Sequence, residues 1–94
     1  MNLYAGRSII ITGAAGGIGR ALAEYLAEQG AHIGIFDLNE SGAHEVAEMI
    51  ADKGGSAHAE CLDITDYEAV QQTVGKFQEI AGPLYGLVNN AGWD

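Results

Sequence analysis

The stretch IIITGAAGGIGRAL, residues 9–22, leads from an apolar run through a cluster of glycines into a helix-forming pattern. The β-branched run at 8–12 predicts a strand that is buried on both faces. After the glycines, apolar residues recur at helical spacing, and Gly30 stands where a helix C-cap belongs. The stretch therefore predicts a strand, a glycine loop and a helix. The apolar positions of that helix are Ile18, Ala21, Leu22, Tyr25 and Leu26.

The same alternation of strand and helix continues along the chain. Further strands are predicted at 32–38, around 56–62 and at 84–90. Strands that alternate with helices of this length imply right-handed crossovers and a parallel sheet. We therefore predict an α/β fold in which helices cover both faces of a parallel sheet. The length of 94 residues predicts one domain, 1–94, with a core that is possible but marginal at this size.

Turn and capping residues bound the two later helices. The second helix is expected to end at Gly54-Gly55 and the third at Gly82-Pro83. Thr65 and Glu68 form a capping-box pattern, which predicts the start of the third helix. The predicted apolar faces are Ala43, Val46, Ala47 and Ile50 in the second helix and Val70, Val74, Phe77 and Ala81 in the third.

The chain is strongly acidic, with 13 Asp and Glu residues against 4 Lys and Arg and a formal net charge of -9. The basic residues are scattered, whereas nucleic-acid binding requires a clustered basic surface, so we expect no nucleic-acid partner. Anionic membrane surfaces are disfavoured for the same reason. An anionic ligand would have to be held by backbone dipoles.

Cysteine usage and hydropathy bear on the cellular setting. The single cysteine, Cys61, can form no internal disulfide and lacks the Cys/His spacing of a zinc site. The N-terminus lacks a charged segment followed by a long apolar run, and no apolar run approaches the length of a membrane span. We therefore expect a soluble cytoplasmic protein with no bound metal and no membrane partner.

The glycine cluster at 13–19 has two interpretations. No Lys-Ser or Lys-Thr pair follows the glycines, which excludes the phosphate loop of nucleoside triphosphatases, and the strict G-x-G-x-x-G spacing is also absent. The cluster could be a tight turn that only allows a helix to pack closely on a strand. Alternatively, a turn without bulky side chains before a helix N-terminus can bind a pyrophosphate through unsatisfied amides.

Asp37 favours the second interpretation. It ends the second strand, about 20 residues past the glycines, where an acidic residue can accept hydrogen bonds from the ribose of a dinucleotide. Taken alone, Asp37 would be a strand-end or helix-capping carboxylate. Its carboxylate would repel the 2′-phosphate of NADP, and neither Leu38 nor the neutral residues 14–16 supply a compensating base. NAD is therefore preferred over NADP as the cofactor.

Three motifs resemble those of the short-chain dehydrogenase/reductase family. The family's T-G-x-x-x-G-x-G motif is matched by 12–19, its Asp-hydrophobic pair by 63–64 and its N-N-A-G motif by 89–92. The motifs occur in the family's order and next to the expected elements, and the resemblance covers essentially all of the chain. It implies a Rossmann-type sheet with the strand order 3-2-1-4.

The resemblance also implies roles for individual residues. Asp63 would accept a hydrogen bond from the adenine amino group, and the backbone of Ile64 would lie beside the ring. Asn90 would face the cofactor, whereas Asn89 would tie the fourth strand to its neighbours. Together with the glycine loop, the expected cofactor-binding residues are Gly13, Ala15, Gly17, Ile18, Gly19, Asp37, Leu38, Asp63, Ile64, Asn90, Ala91 and Gly92.

The family's catalytic residues have no counterpart in this sequence. The family transfers hydride with a Ser and a Tyr-x-x-x-Lys pair, and none of the four tyrosines here has a Lys four residues on. We therefore expect this chain to be the NAD-binding, inactive part of a longer dehydrogenase that acts on a small-molecule substrate and forms homo-oligomers. The alternatives are a complete, non-catalytic dinucleotide-binding module and a structural domain without a nucleotide.

We also make predictions for Tyr85, for Arg20 and for the last two residues of the sequence. Tyr85 stands where the family often has an acidic residue, and we expect a local packing difference there that leaves the cofactor site intact. Arg20 follows the last glycine but is expected to face solvent from the helix. The ending Trp93-Asp94 resembles family members that act on cyclic 2-hydroxyacyl-CoA substrates.

Overall fold

A computed structural model describes residues 3–90 of the chain. Four strands alternate with three helices, in the order that the sequence predicts. The strands are β1 (Ser8–Thr12), β2 (His32–Asp37), β3 (Ser56–Cys61) and β4 (Leu84–Asn89). The helices are α1 (Gly17–Glu28), α2 (Glu40–Asp52) and α3 (Tyr67–Ala81).

All strand pairs are parallel, and the strand order is β3-β2-β1-β4. This order confirms the predicted Rossmann-type sheet. The parallel register brings Thr12 level with Phe36 on one side and with Asn89 on the other, while Asp37 lies level with Cys61. The carboxyl ends of the strands therefore meet at one edge of the sheet, where ligands bind in open α/β sheets.

The helices cover both faces of the sheet, as predicted. Alternate residues of β1 and β2 pack against α1 and α2 on one face, and Val46 of α2 is fully buried there. On the other face, Ile10 and Phe36 pack against α3, whose Phe77 meets the Phe36 ring edge-on at a centroid distance of 6.4 Å. Every residue of β1 is buried, because it is an inner strand with helices above and below.

The buried face of α1 differs from the predicted one. Ile18 is 80% exposed and Tyr25 is 49% exposed, and of the predicted positions only Leu26 is fully buried. The buried face is instead formed by Gly19, Ala23, Leu26 and Ala27. Three of these residues are small and spaced four apart, so the helix axis lies close to the sheet, while Ile18 and Tyr25 are turned outward.

The predicted capping box of α3 is wrong. Asp66 is the N-cap, and its side chain accepts a hydrogen bond from the Ala69 amide. Thr65 does not cap the helix, and its amide and hydroxyl instead donate to Asp63 Oδ1, at 2.8 and 2.6 Å. The remaining predicted face of α3 packs against Phe77 but is only half-buried, since α3 is the one helix on this face among residues 3–90.

Glycines end the helices where the sequence predicts. Gly30 follows α1 with φ 93° and Gly54 follows α2 with φ 88°, a left-handed conformation that glycine adopts without steric cost. The next residue in each case donates back into the last turn, from Ala31 to Leu26 and from Gly55 to Ile50. Both turns direct the chain straight into the following strand.

Candidate functional site

The glycine loop joins β1 to α1 at the carboxyl edge of the sheet. Gly13 and Gly17 have φ values of 68° and 60°, so a side chain at either position would be strained. The Gly13 amide donates to the Phe36 carbonyl at 2.9 Å, which fixes the start of the loop to β2. The loop is therefore held by the sheet, and glycine is required for its shape.

The N-terminus of α1 lacks the caps that the other two helices have. Its N-cap, Gly16, supplies no side-chain hydrogen bond, and no acidic residue lies in the first turn. By contrast, Asn39 caps α2 and Asp66 caps α3, and each of those helices has a glutamate in its first turn. The first amides of α1 and its positive dipole end thus receive no carboxylate from residues 3–90.

Residues 3–90 leave the space in front of this helix end open. A Cβ atom built on Gly16 or Gly17 would meet no atom of these residues within 4 Å. A Cβ on Gly19 would instead lie 2.5 Å from the Gly13 carbonyl oxygen and 2.6 Å from Asn90 Nδ2. Glycine is therefore needed at position 19 for close packing, while the outer glycines leave room for a ligand.

Asp37 lies beside the loop, at the end of β2. Its Oδ2 accepts a hydrogen bond from the Ala15 amide at 3.0 Å, and its Oδ1 accepts one from the Asn39 amide at 2.8 Å. Asp37 is not the cap of α2, because Asn39 has that role. The structure thus brings the carboxylate and the glycine loop together, and each carboxylate oxygen retains a lone pair for a further donor.

The end of β4 closes the other side of the loop. The Thr12 hydroxyl donates to Asn89 Oδ1 at 3.1 Å and accepts from the Asn90 amide at 3.0 Å. Asn90 Nδ2 donates to the Gly13 carbonyl at 3.2 Å. Asn89 therefore ties β4 to its neighbour, as predicted, and Asn90 is held against the base of the loop. Ala91 and Gly92 lie outside the described residues.

Asp63 and Ile64 follow β3, beyond Asp37. The Thr65 hydroxyl, and next its amide, hold the pKa of the exposed Asp63 carboxyl below its ordinary value of 3.8. Asp63 is therefore ionised at neutral pH and can accept a hydrogen bond. Leu38 is exposed on the same side of the site, where its carbonyl accepts a hydrogen bond from the Cys61 thiol at 3.4 Å.

Comparison with known proteins identifies the family. The model of the short chain dehydrogenase family matches residues 7–94. The chain belongs to this family. Among curated relatives, 2,3-dihydro-2,3-dihydroxybenzoate dehydrogenase of Bacillus subtilis is 39% identical over 93% of this chain and 33% of its own length. The 3-oxoacyl-[acyl-carrier-protein] reductase of Vibrio harveyi is 38% identical over 98% of this chain and 36% of its own length.

A solved structure supports the same assignment to the short-chain dehydrogenase family. A protein assigned as a D-mannonate oxidoreductase from Haemophilus influenza, solved with bound NAD, is 34% identical with a TM-score of 0.92. The match covers 99% of this chain and 33% of that protein. The chain thus spans about one third of the length of the relatives it matches, and a nicotinamide dinucleotide is the cofactor class of its family.

The residues present fit a dinucleotide of the kind that short-chain dehydrogenases bind. The N-terminus of α1 has no side-chain cap and follows Gly16, and the Asp37 carboxylate at the end of β2 accepts a hydrogen bond from the Ala15 amide of the same loop. Arg20, which follows the loop, contacts α2 instead, with its guanidinium 3.2 Å from Met49 Sδ and 3.7 Å from Glu45. The site therefore offers backbone amides, and not a basic side chain, to an anion.

Other cavities within residues 3–90 lie away from the glycine loop, one of them between β2, β3 and the C-terminal end of α3. A cavity between the C-terminal ends of α1 and α2, lined by Glu24, Ile50 and Lys53, lies at the opposite edge of the sheet. Within residues 3–90 no three His, Cys, Asp or Glu side chains are grouped to bind a metal ion. None of the three helices in this part of the chain combines the length and apolar character that crossing a membrane requires.

Tyr85 packs locally, as its position in the sequence predicts. The Arg7 guanidinium stacks over its ring at 4.6 Å, and Tyr4 meets it edge-on at 6.3 Å. These contacts lie at the amino end of β4, away from the glycine loop.

Sequence reasoning missed two residues next to the site, Asn39 and Gly42. Asn39 links Asp37 to α2, and Gly42 lies against Ala15 of the loop. An Asn directly before a helix-forming segment is an N-cap signal, and this signal could have identified Asn39. The contact of Gly42 with the loop joins two separate elements, so no local pattern predicts it.

Proposed function

We propose that this chain forms the NAD-binding part of an oxidoreductase that interconverts an alcohol and a ketone. The observation that carries the proposal is the uncapped N-terminus of α1 behind the glycine loop, in a chain whose other two helices are capped and carry acidic first turns. An acidic protein that leaves one helix end open to anions is well suited to bind a pyrophosphate there.

The cofactor would lie along the carboxyl edge of the sheet. The amides around Gly17 and Gly19 would bind the pyrophosphate, with Gly13, Ala15 and Ile18 lining the loop. Asp37 and Leu38 would contact the adenosine ribose, and Asp63 with Ile64 would hold the adenine. Asn90, and Ala91 and Gly92 beyond the described residues, would line the side toward the second ribose. The bound dinucleotide would supply the hydride acceptor or donor of the reaction.

Asp37 would also select NAD over NADP. Its carboxylate contacts the loop through Ala15, so a 2′-phosphate on the adenosine ribose would be placed against a negative charge. The Arg20 guanidinium contacts Met49 and Glu45 of α2, and we propose that it does not neutralise that phosphate. The free 2′-hydroxyl of NAD would instead donate to the carboxylate, a hydrogen bond to a charged group.

Residues 1–94 contain neither a Tyr-x-x-x-Lys pair nor a residue that we assign to the chemical step. We propose that such residues lie elsewhere in the complete protein, that its substrate is a small molecule and that it acts as a homo-oligomer in the cytoplasm. The exposed apolar surface of the edge strand β4, where Leu87 is 60% exposed, supports burial of this edge by further protein.

The test uses the protein expressed from its complete reading frame and follows NADH fluorescence. Saturable binding is expected, with NADPH binding more weakly. Asp37→Ala should lose about 1.5–3 kcal/mol of NADH binding, the range for a hydrogen bond to a charged group. Asp52→Ala, which removes an exposed carboxylate at the far end of α2, is the control and should bind like the parent. A folded parent protein without saturable NADH binding would refute the proposed function.

A further inference from the structure

The start of α2 and the glycine loop both contact Asp37, and they also contact each other. The Asn39 amide donates to Asp37 Oδ1, and Asn39 Oδ1 in turn accepts from the Gly42 amide at 3.0 Å. Gly42 approaches Ala15, whose amide donates to Asp37 Oδ2. Asp37 is therefore held from two sides, by the glycine loop and by the start of α2.

The absence of a side chain at position 42 allows this arrangement. A Cβ atom there would lie 2.6 Å from Asn39 Nδ2 and 2.9 Å from Asn39 Cγ, and 3.1 Å from the Ala15 methyl carbon. The first two distances are shorter than real Cβ contacts, so the Asn39 side chain, which caps α2, would have to shift. The third would push the loop away by a few tenths of an ångström. One methyl group would thus shift both the Asn39 side chain that caps α2 and the loop residue Ala15, whose amide donates to Asp37.

We propose that Asn39 and Gly42 are positioning residues for Asp37, and that the packing of α2 on the glycine loop sets the orientation of the carboxylate toward the ribose hydroxyls. The proposal rests on the proposed binding of NAD. Neither residue touches the cofactor in this scheme. Both act through Asp37, whose two oxygens are fixed by amides that the loop and α2 bring together. Binding geometry of this kind must be held to within about 0.5 Å to be effective.

Gly42→Ala tests the proposal, measured by NADH fluorescence in the protein from its complete reading frame. We expect binding about tenfold weaker, the low end of the range for losing a hydrogen bond to a charged group. Gly75→Ala is the matched control, because Gly75 lies inside α3 and a Cβ atom there meets nothing within 4 Å. This control should bind NADH like the parent.

The decisive measurement repeats Gly42→Ala in an Asp37→Ala background. A positioning role predicts that the substitution then costs no further affinity, because the carboxylate that it orients is gone. An equal loss in both backgrounds would show that Gly42 only supports the fold, and would overturn the proposal. Unchanged binding of Gly42→Ala in the parent background would also overturn it. Absence of NADH binding by the folded parent would refute the proposed function instead, and so the two failures are distinguishable.

Discussion

A methyl group at position 19 would clash with the backbone of the glycine loop, at the centre of the candidate site. In Gly19→Ala the new Cβ would lie 2.5 Å from the Gly13 carbonyl oxygen and 3.0 Å from Ala14 Cα. Neither atom can rotate away, since both belong to the main chain. The same methyl would lie 2.6 Å from Asn90 Nδ2 and break its hydrogen bond to Gly13. Helix α1 must therefore move away from the loop.

The magnitude follows from three contributions. Overpacking against the backbone costs about 1–3 kcal/mol, and we expect the upper end because no side chain can yield. Loss of the Asn90 hydrogen bond adds about 1 kcal/mol. Replacing a helical glycine by alanine raises the free energy of unfolding by about 1 kcal/mol, because alanine has the higher helix propensity. Gly19→Ala should therefore lower the free energy of unfolding by about 2–3 kcal/mol.

Urea unfolding of Gly19→Ala and Gly75→Ala measures this effect against a matched control. Gly75 also lies in a helix but has open space around it, so the control should be more stable than the parent by about 0.5–1 kcal/mol. NADH affinity should fall in Gly19→Ala, because the displaced helix carries the proposed pyrophosphate amides. If Gly19→Ala gained stability as Gly75→Ala does, the close approach of α1 to the loop would be refuted.

Two further predictions concern residues outside the loop. Phe77→Ala should lower the free energy of unfolding, measured by urea unfolding, by about 3–5 kcal/mol, because Phe77 is the fully buried residue of α3. A loss below about 1 kcal/mol would contradict the role of Phe77 in the core. Thr65→Val should raise the pKa of Asp63 toward 3.8 in a carboxyl titration followed by NMR. A carboxyl whose pKa is lowered on folding stabilises the fold above its unfolded pKa and loses that contribution as pH falls through its folded pKa. Thr65→Val should therefore reduce the pH dependence of stability below about pH 4, and an unchanged Asp63 titration would contradict the assigned hydrogen bond.

The order of elements could be predicted because local signals mark most of the boundaries between strands and helices. The β-branched run at 8–12 leads into glycines, and Gly30 and Gly54 adopt the left-handed conformation that ends a helix. The proximity of Asp37 to the loop was also predictable, since parallel strands end at the same edge of the sheet. These features depend on chain direction and spacing, both of which the sequence contains.

Features that depend on contacts between elements could not be predicted. Periodicity assigned Ile18 to the apolar face of α1, but with Gly19 packed closely against the loop the Ile18 side chain is exposed to solvent. Thr65 and Asp66 are both acceptable caps by residue type; in the structure Asp66 caps α3, while Thr65 is hydrogen-bonded to Asp63 within the same loop. In each case the sequence pattern allows two solutions, and the contacts formed in the folded chain select one.

The acidic character of the chain and its proposed anionic cofactor are compatible because of where the carboxylates lie. Helices α2 and α3 begin with glutamates and with side chains that cap their amides, whereas the first turn of α1 carries neither. The Asp37 carboxylate accepts a hydrogen bond from the Ala15 amide of the glycine loop. In the proposed binding mode this carboxylate would repel a 2′-phosphate, while the dipole of α1 would attract the pyrophosphate. One carboxylate, fixed by the loop and by α2, would therefore give both ribose binding and discrimination between the two dinucleotides.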